Sequence, residues 1–189
     1  MVQKFSVENT NFEPVKVVNP FIATDERGAF VKDYSRKQLM EMGIEHELKE
    51  VFYTYSKKGV IRALHFQLNK TQPKLVRVVK GSVYDVVVDL RKGSDTFGKW
   101  QGFELSDENG KEILVPAGFG HGYLVLEESI VSYKCAEDFY GEYDSGIKWN
   151  DEDIAIDWPL ERVDNDIILS EKDKNLMSLK EFVDKYQGM

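Results

Sequence analysis

The stretch Gly59–Leu90, GVIRALHFQLNKTQPKLVRVVKGSVYDVVVDL, decides the fold. Three runs within it, Val60–Phe66, Leu75–Lys80 and Ser82–Leu90, are rich in β-branched residues and read as strands, with Gly81 separating the last two. The same runs carry Arg62, His65, Lys74, Arg77, Asp85 and Asp89. Packing a strand requires neither an imidazole nor this many charges. The expectation is that several of these side chains point into a cavity inside a sheet closed on itself.

Working outward, strand patterns recur at Val51–Tyr55, Lys99–Leu105, Glu112–Val115, His121–Leu126 and Ile130–Cys135. Turn signals separate them at Lys92-Gly93-Ser94, Asp107–Gly110 and Pro116-Ala117-Gly118. Many short strands at regular spacing imply an antiparallel sandwich or barrel, and Asn109-Gly110 predicts a hairpin turn. Before this region, Pro14 and Pro20 suit short edge strands, and Thr24–Phe30 reads as a turn cornered by Gly28. Ser35–Met42 predicts a short helix capped by Ser35 and closed by Gly43. Pro159 ends the β-rich part. In the tail, Leu176, Leu179, Phe182, Val183 and Tyr186 recur at helical spacing, and Ser178 and Glu181 have capping-box spacing. The chain is expected to be a single domain over 1–189: N-terminal strands in 1–50, a barrel core in 51–160 and a helical segment in 161–189.

The net charge of −8 argues against general affinity for nucleic acid or an anionic membrane, although clustered Arg and Lys could still hold an anionic ligand. One cysteine, Cys135, allows no intrachain disulfide. No apolar run approaches the roughly 20 residues of a membrane span, and the N-terminus has no signal-peptide core, so the cytoplasm is the expected compartment.

The third histidine, after His46 and His65, lies in Pro116-Ala117-Gly118-Phe119-Gly120-His121. Its Pro-x-Gly-x-x-His spacing matches the second motif of the cupin barrel, in which a tight turn launches a strand with the histidine facing the cavity. Metal-binding cupins pair two histidines as His-x-His in their first motif. Here that stretch is His65-Phe66-Gln67, so too few imidazoles converge for a metal site, and none is expected.

Several segments, in order and at compatible spacing, resemble the dTDP-4-dehydrorhamnose 3,5-epimerases, the RmlC-type nucleotide-sugar epimerases. They are Val60–Gln67, Lys74–Arg77, Val86–Arg91 with Thr96–Trp100, Pro116–Leu126, Tyr133-Lys134, Ile147–Asp151, Ile156–Leu160 and Leu169–Asp173. The resemblance implies a mainly β, cupin-type antiparallel barrel (a jelly roll) with short peripheral helices and a C-terminal helix. It implies a nucleotide-diphosphate 4-keto-6-deoxy sugar as substrate, no cofactor, and a homodimer, and it leaves open whether the N-terminal strands are exchanged so that Arg27 serves the neighbouring site. It further implies His65 as base, Asp173 as the carboxylate that orients it, Lys74 as enolate stabiliser and Tyr133 as acid. Arg27 and Arg62 would hold the diphosphate, with His121, Asp144 and Lys172 as further ligand contacts.

Two features of the sequence sit awkwardly with that assignment. Arg62 and His65 are three apart, and strict alternation puts them on opposite faces unless a bulge intervenes or Arg62 reaches around the barrel mouth. The family also commonly has Glu at the position of Lys32, a Gln-Asp-Asn-like segment where this chain reads Glu50-Val51-Phe52, and Gly at Ala63. These departures leave open the nucleotide, the 4-keto sugar, and inversion at C3, at C5 or at both. A metal-dependent cupin enzyme and a sugar-nucleotide binder without chemistry are the rival readings.

Overall fold

The computed structural model describes residues 3–189. Strands β1 (Ser6–Asn9) and β2 (Lys16–Asn19) precede a hairpin of β3 (Phe21–Asp25) and β4 (Gly28–Lys32), then helix α1 (Arg36–Glu41). The central run is β5 (Glu50–Ser56), β6 (Ile61–Gln67), β7 (Lys74–Lys80), β8 (Ser82–Asp89) and β9 (Trp100–Ser106). It continues through β10 (Glu112–Val115), β11 (Phe119–Val125), β12 (Ser129–Cys135) and β13 (Asp144–Gly146). A 3₁₀ turn at Leu160–Val163 leads to α2 (Glu171–Lys174) and α3 (Leu179–Tyr186).

The strands form a six-stranded sheet, β1-β2-β10-β7-β12-β5, facing a five-stranded sheet, β13-β6-β11-β8-β9. Every pairing within the sheets is antiparallel. The chain crosses between the sheets repeatedly, giving an antiparallel jelly roll of the cupin type. Alternation sorts the side chains into three layers. Val76, Val78, Val87, Ile113, Val131 and Tyr133 fill the space between the sheets. Ile61, Leu64, Val86, Val88 and Leu124 face out of the five-stranded sheet and are covered by Trp158, Leu179 and Phe182 of the tail. Leu75, Leu114 and Val18 face out of the six-stranded sheet beneath Leu39 and Ile44. The protein therefore buries both faces of each sheet over much of its area, and Phe66 and Phe182 meet edge-to-face at 5.3 Å.

Three local expectations change. Asn109-Gly110 is not a hairpin turn, because β9 and β10 belong to different sheets. Asn109 Oδ1 accepts from the backbone N–H groups of Ser106 and Lys111, and Gly110 takes φ +62°, so the turn chemistry is used to change sheets instead. Ser35 stands at the N-cap of α1 but its side chain caps nothing. The tail helix is shorter than its periodicity suggests: Leu176 falls between α2 and α3, and the Ser178–Glu181 capping box opens α3.

Candidate active site

A cavity of about 310 Å³ opens between the sheets and is lined by eight of the nine residues singled out from the sequence: His65, Tyr133, Asp173, Lys74, Arg62, His121, Asp144 and Lys172. The sequence conflict between Arg62 and His65 is resolved by a bulge in β6. Tyr123 of β11 pairs with Arg62 and His121 pairs with His65, so three steps along β6 oppose two along β11. Ala63 and Leu64 both turn outward into the tail-covered layer, which leaves Arg62 and His65 facing the cavity together. Gly122 makes room for this: a Cβ there would lie 2.4 Å from Ala63 Cβ and 2.7 Å from the Arg62 carbonyl oxygen.

His65 Nε2 stands 2.7 Å from Asp173 Oδ1. The partner arrives from far along the chain because the tail is pinned to the sheet on both sides of it. Bridges pair Ile168 with Val60 and Met177 with Ile147, and α2 hangs between them. Ser170 is the N-cap of α2, accepting from the Asp173 N–H at 3.0 Å and donating its hydroxyl to Asp173 Oδ2 at 2.6 Å. Burial alone would raise the Asp173 carboxyl, but the bonds from His65 and Ser170 outweigh it and hold the group below its ordinary range. Asp173 is therefore a buried carboxylate aimed at an imidazole.

The opposite wall belongs to the six-stranded sheet. Tyr133 of β12 is buried, stacks on Phe52 at 4.6 Å between centroids, and meets His121 edge-on at 6.2 Å. Burial, with the Tyr123 hydroxyl alongside, drives its phenol well above the usual value, so it stays protonated at neutral pH. Lys74, at the start of β7 on the same wall, is pushed down by burial, while Cys135, Asp85 and Asp144 pull it back up. His121 is buried beside His65 on the five-stranded sheet, with Nε2 2.8 Å from Asp85 Oδ2. Burial disfavours an imidazolium there, and it raises the Asp85 carboxyl as well, so the neutral ring and Asp85 share a single buried hydrogen bond. At the rim, Lys172 Nζ donates to Asp144 Oδ2.

Arg27 is the one predicted residue outside the cavity. It sits at the tip of the β3–β4 hairpin with its side chain 85% exposed, paired with Asp25. Of the departures from the family pattern, Phe52 lines the cavity, while a Glu50 carboxylate oxygen accepts from the Phe139 N–H at 2.9 Å at its mouth. Lys32 lies on the hairpin and donates to Gln3.

Sequence reasoning gave no role to Ser170 or Gln67. Ser170 had a signal in its Ser-x-x-Asp spacing. Gln67, where a metal-binding cupin would place its second histidine, donates to the Lys70 carbonyl and accepts from the Tyr140 N–H, both at 2.7 Å. Its amide is thus committed to holding the loops at the cavity mouth. Among the described residues no group of three His, Cys, Asp or Glu side chains is placed to hold a metal ion.

Residues 9–181 match the sequence model described as dTDP-4-dehydrorhamnose 3,5-epimerase. The chain is 49% identical over 179 residues to the enzyme of that name from Methanothermobacter thermautotrophicus, covering 94% of this chain and 96% of the relative. Among solved structures it resembles dTDP-4-dehydrorhamnose 3,5-epimerase from Bacillus anthracis with TDP and pyrophosphate bound (44% identity, TM-score 0.87, covering 93% and 99% of the two chains). It also resembles dTDP-6-deoxy-D-glucose-3,5-epimerase RmlC from Legionella pneumophila in complex with dTDP-4-keto-L-rhamnose (39% identity, TM-score 0.89, covering 93% of each). With a bulged β6, a tail-borne carboxylate and a matching sequence over nearly its whole length, the chain belongs to the dTDP-4-dehydrorhamnose 3,5-epimerase family.

Proposed function

We propose that the protein epimerises dTDP-4-dehydro-6-deoxyglucose at C3 and C5 to dTDP-4-dehydrorhamnose. The observation that carries this reading is the His65–Asp173 pair on one wall of the cavity with the Tyr133 phenol on the other. The C3 and C5 protons flank the C4 carbonyl, which acidifies them. With its Nε2 proton directed at Asp173, His65 has Nδ1 free to take the proton from carbon. Asp173 stabilises the imidazolium that results. The electron pair from the broken C–H bond moves into an enolate whose oxygen is stabilised by the Lys74 ammonium. Tyr133 then delivers a proton to the opposite face, and a developing enolate is basic enough to take it from a phenol. Proton transfers alone complete the reaction, so no redox cofactor or metal enters a step.

Arg62 serves the diphosphate, since its planar fork gives paired bonds to phosphate oxygens. Asp144 and Lys172 at the rim and His121 on the wall complete the contacts. Arg27, exposed and absent from the lining of its own cavity, serves the neighbouring subunit of a homodimer. The outer face of edge strand β5 supports that assembly: it exposes Val51, Tyr53 and Tyr55, with Val79 nearby on the same sheet. Relatives solved with thymidine nucleotides favour dTDP over other carriers despite the changes at Lys32, Glu50 and Phe52.

The test is incubation of dTDP-, UDP-, CDP- and GDP-linked 4-keto-6-deoxyglucose in D₂O, read by NMR. Deuterium at both C3 and C5 of an inverted dTDP sugar is expected. Exchange at one carbon only, or turnover confined to another nucleotide, would overturn the substrate and the double inversion.

A further inference from the structure

The outer face of the six-stranded sheet carries a group of charges that the reaction does not use. Arg77, Lys134 and Glu112 come from the neighbouring strands β7, β12 and β10, and all three are buried. Lys134 Nζ donates to Glu112 Oε1 at 2.7 Å and forms an ion pair with Asp33 Oδ2 at 2.9 Å, and Arg77 Nη1 lies 3.8 Å from the same Asp33 oxygen. A buried charge cluster of this kind adds little stability over apolar side chains of similar volume, and its best-attested use is to fix one arrangement of the parts it joins.

The part it joins here is the N-terminal hairpin. Asp33 immediately follows β4, and among the described residues β3 and β4 pair only with each other, outside both sheets. The Phe21 side chain packs against the core cluster at the hairpin root, whereas the run from Thr24 to Phe30 is exposed. The next segment returns to the same lysine: a His46 ring N–H donates to the Lys134 carbonyl oxygen at 2.8 Å. Two buried cations thus hold the single carboxylate at the base of the element that carries Arg27.

We propose that Asp33, gripped by Lys134 and Arg77 with Glu112 behind them, is the anchor that sets where the hairpin points. On this view Asp33 and Lys134 are positioning residues for nucleotide-diphosphate binding, acting through Arg27. The inference rests on the reading above in which Arg27 meets the diphosphate of the neighbouring subunit. It also gives Lys134 a role distinct from that of Tyr133, which points the other way from the same strand.

The experiment is a double-mutant cycle read by calorimetric titration with dTDP and by steady-state kinetics on the dimer. Asp33→Asn is expected to weaken dTDP binding and raise KM about tenfold with kcat changed far less, the pattern of lost positioning in the bound complex. Asp33→Glu should restore part of the affinity. In an Arg27→Ala background, Asp33→Asn should weaken binding no further. If Arg27→Ala weakens binding while Asp33→Asn binds dTDP as the wild type does, the anchor falls and the role of Arg27 stands. Equal losses from Asp33→Asn with and without Arg27 also overturn the anchor. If Arg27→Ala itself binds normally, the diphosphate role of Arg27 falls and the anchor falls with it.

Discussion

In the proposed mechanism His65 and Asp173 act as one unit, because the carboxylate, buried and bonded by Ser170, has its charge directed at the imidazole. Replacing Asp173 by Asn removes that charge and the tautomer it enforces. The expected loss in kcat is about a hundredfold, the low end of what a positioned base contributes, with the melting temperature little changed. Full activity in Asp173→Asn would dissolve the pair. Lys74 yields a pH signature. Burial lowers its pKa, and in the proposed mechanism only the cation stabilises the enolate, so activity should be lost as pH rises through a value below the roughly 10.4 of an ordinary lysine. Lys74→Arg, charged throughout, should remove this alkaline limb from the kcat profile between pH 7 and 10.5; an unchanged limb would assign it to another group. In the sequence, His65 and Lys74 stand out as strand residues that packing does not need. Asp173 does not, because nothing local links a tail carboxylate to a strand histidine, and only the family resemblance implied the pair. Asp85 was visible as a strand charge, but its bond to His121 depends on the register of β8 against β11.

Strands were the legible elements, since alternation and β-branching mark them wherever one face is buried. Their partners were not. Asn109-Gly110 has hairpin chemistry, yet the strand after it joins the other sheet, and turn residues dictate local φ and ψ without choosing the sheet. The β6 bulge was posed by the three-residue spacing of Arg62 and His65 and could be settled only by the register against β11, where Gly122 permits the close approach. The loop after β8 carries a stability prediction. Burial would raise the Asp89 carboxyl, but bonds from Arg91, Ser94 and Thr96 outweigh it and lower it to about 2. Against an ordinary aspartate near 3.9, that corresponds to roughly 2–3 kcal/mol, present above pH ~4 and lost as pH falls through the folded value. Asp89→Asn should lose about this much in denaturant unfolding at neutral pH, with the gap to wild type narrowing at pH 2–3. A gap independent of pH would mean that shape, not charge, holds the loop.

As a whole, the molecule is two sheets with a cavity between them, and the assembly proposed for it follows from what the sheets leave uncovered. Tyr53 and Tyr55 are 60% and 68% exposed on an edge strand, and Arg27 stands exposed on a hairpin that does not line the chain's own cavity. Tyr53→Glu with Tyr55→Glu should shift the protein from dimer to monomer in light scattering and raise KM, because each site loses the partner's arginine. A monomeric wild type of full activity would refute the exchange. The proposed chemistry depends on the two walls, with His65 as base on the five-stranded sheet and Tyr133 as acid on the six-stranded sheet. The most direct test compares deuterium wash-in from D₂O with inverted product in His65→Ala and Tyr133→Phe, using the dTDP-linked 4-keto sugar. The expected result is that His65→Ala loses both, since no carbon is deprotonated, whereas Tyr133→Phe keeps most of the exchange while inverted product falls sharply, His65 returning a deuteron to the original face. Normal inversion in Tyr133→Phe, or equal loss of exchange and inversion, would contradict the assignment of base and acid to opposite walls.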